Sequence, residues 1–140
     1  MTKISILSLC CLLFLLFAQN QKADNFEKFI KAIHQVESSG RLGEIYGDDG
    51  RSRGPLQIGK LYYQDAKEFS KGELKGSYSN VCDLTYAKKV VFYYLLRYES
   101  EALKSGDFES MARAHNGGPK WREKRHLTNR YWQKVKKQLE

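Results

Sequence analysis

Three carboxylates carry the chemistry that this sequence suggests. Glu37 closes a helix-like pattern at Val36, Ser38, Ser39 and Gly40, and Asp48 and Asp49 follow in a glycine-rich run between Tyr46 and Ile58. Two carboxylates in unlike surroundings are what hydrolysis of a glycosidic bond requires, one as acid and one as nucleophile or base. Glu37 lies four residues after Ile33 and seven after Ile30, which extends the apolar stripe of the preceding segment. It also falls in the last turn, where the negative end of the helix dipole faces it. Partial desolvation and the dipole both disfavour the charged form, so Glu37 is expected to have a raised pKa, as a general acid needs. The bland alternative is an exposed helix-end Glu.

Asp48 and Asp49 stand between Gly47 and Gly50, with Arg51 and Arg53 following. Backbone amides in such a turn and nearby guanidinium groups keep a carboxylate ionised, the state wanted in the second member of the pair. Asp-Gly is equally at home in a plain β-turn. Gln57, between Leu56 and Ile58, can reach a sugar hydroxyl or acetamido group, or cap a turn. His115 and Asn116, ahead of Gly117, Gly118 and Pro119, are candidate sugar contacts. Tyr62, Tyr63 and Trp121 offer aromatic faces for sugar rings, with core packing as the competing reading. His34, His115 and His126 are scattered and make no zinc site with a lone thiol, so no metal or cofactor is expected.

The elements that must position these groups are mostly helical. Asp24 and Glu27 fit a helix start, and Phe26, Phe29, Ile30, Ile33 and Val36 fall at helical spacing up to a stop at Gly40. Residues 43–58 carry the turn formers of a short hairpin or extended loop. A short helix is predicted over 60–69, a polar connector over 71–79, and a long central helix over 84–104. A helix over 108–115 and an amphipathic one over 128–139 complete the chain. The fold class expected is mainly α (α+β), a helical domain with a small β-hairpin wing.

The 140 residues suit one domain. Ile4 to Ala18 is almost wholly apolar, yet shorter than the roughly 20 residues a membrane-spanning helix needs. Residues 1–18 therefore read as a signal peptide cleaved near Ala18, with Ala23 as the alternative cut and an uncleaved anchor as the competing reading. Residues 24–140 form the functional domain. Of the three cysteines, Cys10 and Cys11 leave with the leader. Cys82 is expected to be a buried or semi-buried thiol, with an intermolecular disulfide as the alternative. The net charge of +8 implies an acidic partner surface, such as nucleic acid, anionic lipid or a bacterial wall, or merely a solubilising surface. No nucleic-acid-binding motif is present, and a leader argues against such a partner.

The order of pieces resembles the invertebrate-type (i-type) lysozymes. Those pieces are Val36 to Gly40, Asp48-Asp49-Gly50 with Gly54 to Ile58, Tyr62-Tyr63, Arg97-Tyr98, Ala112 to Pro119, and Tyr131-Trp132. The resemblance covers most of the chain beyond the leader. It implies a lysozyme-like fold and hydrolysis of the β-1,4 bond between N-acetylmuramic acid and N-acetylglucosamine. Glu37 then becomes the general acid and Asp48 the second carboxylate, with Asp49 as the alternative. Gln57, Tyr62, His115 and Asn116 become substrate contacts. A secreted antibacterial or digestive monomer acting on peptidoglycan, without stable membrane insertion, is the implied whole. A catalytically silent glycan-binding protein on the same scaffold is the alternative. One departure stands out: i-type lysozymes are densely disulfide-bonded, whereas Arg53 and Val90 here stand where family cysteines would align.

Overall fold

The computed structural model describes residues 6–140, with side chains from residue 8. Helix α1 runs from Ile6 to Ser38. It therefore begins well before Asp24, which caps nothing because the helix passes through it. The reason is local: Gln19 to Ala23 contains no glycine or proline, and all of it but Asn20 consists of good helix formers, so nothing interrupts propagation. Residues 1–5 of the expected leader lie outside the described residues. From Leu9 to Phe17 the large apolar side chains of α1 are exposed, and only from Phe26 onward does the helix join the core. Among the described residues no helix is long and apolar enough to cross a membrane.

After α1 come strands β1 (Tyr46–Gly47), β2 (Ser52–Arg53) and β3 (Ile58–Gly59), an antiparallel sheet in the order β1-β2-β3. Tyr46 pairs with Arg53 and Gly47 with Ser52; Ser52 also pairs with Gly59 and Arg53 with Ile58. Strands this short need tertiary support. The fully buried Leu56 and Ile58 root the wing in the core, and Gly54 lets it lie close to the neighbouring chain. Gly54 has φ +78°, and a Cβ there would sit 2.2 Å from the Val81 carbonyl oxygen.

Helix α2 (Lys60–Phe69) packs on α3 (Leu84–Tyr98), the central helix, whose Ala87, Val90, Val91, Tyr94 and Leu95 are buried. A 3₁₀ segment, Tyr78–Cys82, interrupts the connector between them. The long helix expected over 84–104 is broken at Glu99 (φ −139°, ψ 44°), beyond which α4 (Ser100–Ser105) starts afresh. The break turns the Glu99 carboxylate inward. Its Oε1 accepts from Trp121 Nε1 at 2.7 Å, and Arg122 donates to both oxygens at 2.6 and 2.9 Å. Helix α5 (Phe108–Gly117), a 3₁₀ stretch (Trp121–Thr128) and α6 (Asn129–Leu139) follow, and α6 lies against α1. Buried Arg113 on α5 fastens this end. It donates to Glu109 Oε1, the Arg125 carbonyl, Thr128 Oγ1 and Asn129 Oδ1, all within 3.0 Å. The result is a mainly helical fold with a small β wing.

All three cysteines are free: Cys10 and Cys11 are exposed and Cys82 is half-buried. Burial is the main cause that pushes the Cys82 thiol pKa upward, and the nearby Glu44 adds to it. Trp121 and Tyr63, offered above as faces for sugar rings, are instead core residues. The Trp121 indole is committed to Glu99, and the Tyr63 hydroxyl donates to the Gly76 carbonyl at 3.2 Å.

Candidate active site

Glu37 is placed by the way α1 ends. Ser39 and Gly40 turn left-handed, at φ 56° and 73°. Buried Ser38 donates its hydroxyl toward the carbonyls of His34 and Arg41, and Arg41 Nε donates to the Ser38 carbonyl at 2.9 Å. His34 Nε2 lies 2.8 Å from the Arg41 carbonyl oxygen. The bonds to the His34 and Ser38 carbonyls occupy acceptors at the helix terminus, those to the Arg41 carbonyl tie down the chain beyond it, and together they fix the last turn of α1. The Glu37 side chain is 18% exposed. Its Oε1 accepts from the Tyr131 hydroxyl at 2.7 Å and lies 3.4 Å from His115 Nε2.

The second carboxylate comes from the wing. Asp48, Asp49 and Gly50 link β1 to β2 with φ of 50°, 56° and 82°. Asp is among the few non-glycine residues that tolerate this region, which explains the composition of the turn. Asp48 Oδ2 accepts from the Ser52 hydroxyl at 3.0 Å, and Arg51 Nε donates to the Asp48 carbonyl at 2.9 Å. Glu37 and Asp48 both line a cleft of about 670 Å³, together with Ser52, Gln57, Tyr62, Asp65, Tyr94 and the loop from His115 to Pro119. Asp49 is exposed and does not line it.

Gln57 reaches the cleft wall, but its amide nitrogen donates to the carbonyls of Gly54 at 2.9 Å and Ile45 at 3.3 Å. It holds the wing in shape, and Gly47 makes room for it: a Cβ at Gly47 would sit 1.9 Å from Gln57 Oε1. Tyr62 stacks on Tyr94 with ring centroids 3.6 Å apart, and its hydroxyl lies 2.9 Å from His115 Nδ1. His115 is buried, with one ring nitrogen on Tyr62 and the other facing Glu37. Tyr62 and His115, expected above as sugar contacts, are therefore engaged with protein groups first. Asn116 is exposed on the cleft and its side chain has no hydrogen bond to another described residue, which leaves its amide open to a ligand.

Burial, above all, holds the Tyr62 and Tyr131 phenols well above the ordinary tyrosine range. The Tyr94 ring and then Glu37 add to the shift at Tyr62, and Glu37 adds to it at Tyr131. Both keep their hydroxyl hydrogen. Ser52, Asp65, Tyr94 and Tyr131 escape a reading based on spacing. Ser52 had a signal in the hairpin register, since it pairs with Gly47 beside Asp48. Tyr131 had a weaker one, because a buried tyrosine hydroxyl needs a partner. Among the described residues no cluster of three or more His, Cys, Asp or Glu side chains could hold a metal ion.

The Destabilase family pattern matches residues 27–138. A protein described as lysozyme from Magallana gigas is 36% identical over 113 residues, which span 78% of this chain and 77% of that protein. No solved structure matches.

Proposed function

The chain belongs to the Destabilase family, the i-type lysozymes, and is a glycoside hydrolase of lysozyme type; from that premise and the geometry of the cleft we propose how it cleaves its substrate and where it works. The substrate is the β-1,4-linked glycan of bacterial peptidoglycan. Glu37 protonates the glycosidic oxygen, and Asp48 forms or stabilises the glycosyl intermediate. The observation that carries this reading is that the end of α1 and the β1–β2 turn each deliver one carboxylate to the same open cleft. Their surroundings are unlike: Glu37 is mostly enclosed by Tyr131 and His115, whereas Asp48 is exposed and accepts from Ser52. The pair supplies the two carboxyl groups, proton donor and nucleophile, that cleavage of a sugar linkage needs. Asn116 and the cleft side of Gln57 are the sugar contacts. Tyr62 and His115 act mainly by holding Glu37 in place.

The exposed apolar stretch of α1 supports cleavage of a signal peptide near Ala18 and secretion. One copy of the chain furnishes both carboxylates, which supports action as a monomer. The test is release of new reducing ends from insoluble peptidoglycan by the wild type and by Glu37→Gln. Release by the wild type and none by the variant is expected. Retention of wild-type release by the variant would remove Glu37 from its role. Binding to the wall with no release by the wild type would make the protein a glycan binder.

A further inference from the structure

We infer that Tyr131 is a positioning residue for proton delivery: by donating to Oε1 of Glu37, it makes Oε2 the oxygen that carries the proton handed to the glycosidic bond. The inference rests on the role of Glu37 proposed above and adds to it an atom-level assignment.

Two groups converge on Oε1, the Tyr131 hydroxyl at 2.7 Å and His115 Nε2 at 3.4 Å. Oε2 has no hydrogen-bond partner among the described residues. A neutral carboxyl carries its hydrogen on one oxygen and accepts on the other. An oxygen already facing a donor is the accepting one, so the hydrogen belongs on Oε2. The His115 tautomer agrees. The Tyr62 hydroxyl lies 2.9 Å from Nδ1 and has no other acceptor among the described residues, so it donates its hydrogen to Nδ1. In the neutral ring Nε2 then bears the hydrogen, 3.4 Å from Oε1 and without a formed hydrogen bond to it.

When the Oε2 proton passes to the leaving-group oxygen, Glu37 becomes a carboxylate. The Tyr131 bond becomes charge-assisted, roughly twice as strong as a neutral one. That gain develops as the proton moves, so it lowers the barrier to transfer and leaves substrate binding alone. Tyr131 comes from α6 and is not among the cleft-lining residues, which keeps it clear of the sugar. The titratable groups around Glu37 are His115 from α5, Tyr131 from α6 and Tyr62 from α2 with Tyr94 stacked on it, while Asp48 and Asp65 share the cleft.

The test compares wild type, Glu37→Gln, Tyr131→Phe and a chain with 3-fluorotyrosine at position 131 on soluble peptidoglycan fragments across pH. Tyr131→Phe is expected to lower kcat about tenfold, the loss of one strengthened hydrogen bond, with KM unchanged. Without the donor the ionised form of Glu37 is less favoured, so the alkaline limb of kcat/KM moves to higher pH. The fluorinated phenol is a stronger donor and moves the same limb to lower pH. It is nearly isosteric with tyrosine, so it decides the matter even where Tyr131→Phe does not fold. An alkaline limb that stays in place in the fluorinated chain would overturn the inference, as would a Tyr131→Phe variant with wild-type kcat. A wild type that cleaves no glycan overturns the functional reading itself, a failure visible before any variant is compared.

Discussion

Ser52 donates its hydroxyl to Asp48 Oδ2 across 3.0 Å, from the strand position opposite Gly47. The bond aims one carboxylate of the β1–β2 turn at the cleft and leaves its neighbour Asp49 facing solvent. Asp48→Asn is therefore expected to reduce glycan cleavage by about 10²-fold or more, the scale of losing a preorganised electrostatic stabiliser. Asp49→Asn should stay within about twofold of wild type, since the group touches nothing in the cleft. Ser52→Ala removes one net hydrogen bond, about 1 kcal/mol, and should slow turnover roughly fivefold. Rates measured side by side on purified, folded variants check the order. Equal losses for the two aspartates would invalidate the assignment.

Glu99 and Arg122 are partners in unequal positions. The carboxylate is 5% exposed and the guanidinium 59%. Arg122→Ala leaves a buried carboxylate with the Trp121 N–H alone, and should destabilise the fold by about 2–3 kcal/mol. Glu99→Gln releases an arginine that water can solvate, and should cost about 1 kcal/mol. Urea unfolding of both variants gives the comparison, and a larger loss for Glu99→Gln would contradict the burial argument. Because this knot anchors the 3₁₀ stretch that follows the His115–Pro119 cleft wall, Arg122→Ala should also lower activity.

The enclosed phenols set an alkaline limit on stability. Desolvation first, then neighbouring phenols and carboxylates, holds Tyr62, Tyr94 and Tyr131 above the ordinary tyrosine value. Each binds its proton more tightly folded than unfolded. Their contribution is complete below the unfolded-state value near 10 and is lost as pH rises through the folded-state values. Phenolate absorbance should rise in two stages, the exposed tyrosines first and the enclosed ones only as the far-UV dichroism collapses. A single smooth titration with the fold intact would refute this.

Local spacing made the helices, the hairpin wing and the seat of Glu37 legible, because each depends on residues within a few positions. Ile30, Ile33 and Glu37 share a face through helical geometry alone, and the Gly-Asp cluster announced its turn. Spacing was silent where the decisive contact crosses the chain. The break at Glu99 answers to Trp121 and Arg122, and His115 is claimed by Tyr62. The donor on Glu37 sits 94 residues away on α6. A tyrosine on an amphipathic helix reads as packing, and only the folded chain shows where its hydroxyl goes. The start of α1 escapes local reading for another reason: a plausible cap at Asp24 counts for little when no residue upstream opposes the helix.

The free thiol of Cys82, set among helices joined by ion pairs and packing, bears on which reagents can loosen the fold. Within the described chain a reductant finds no sulfur crosslink to sever. The fold's sensitivity lies instead at alkaline pH, which acts on the enclosed phenols.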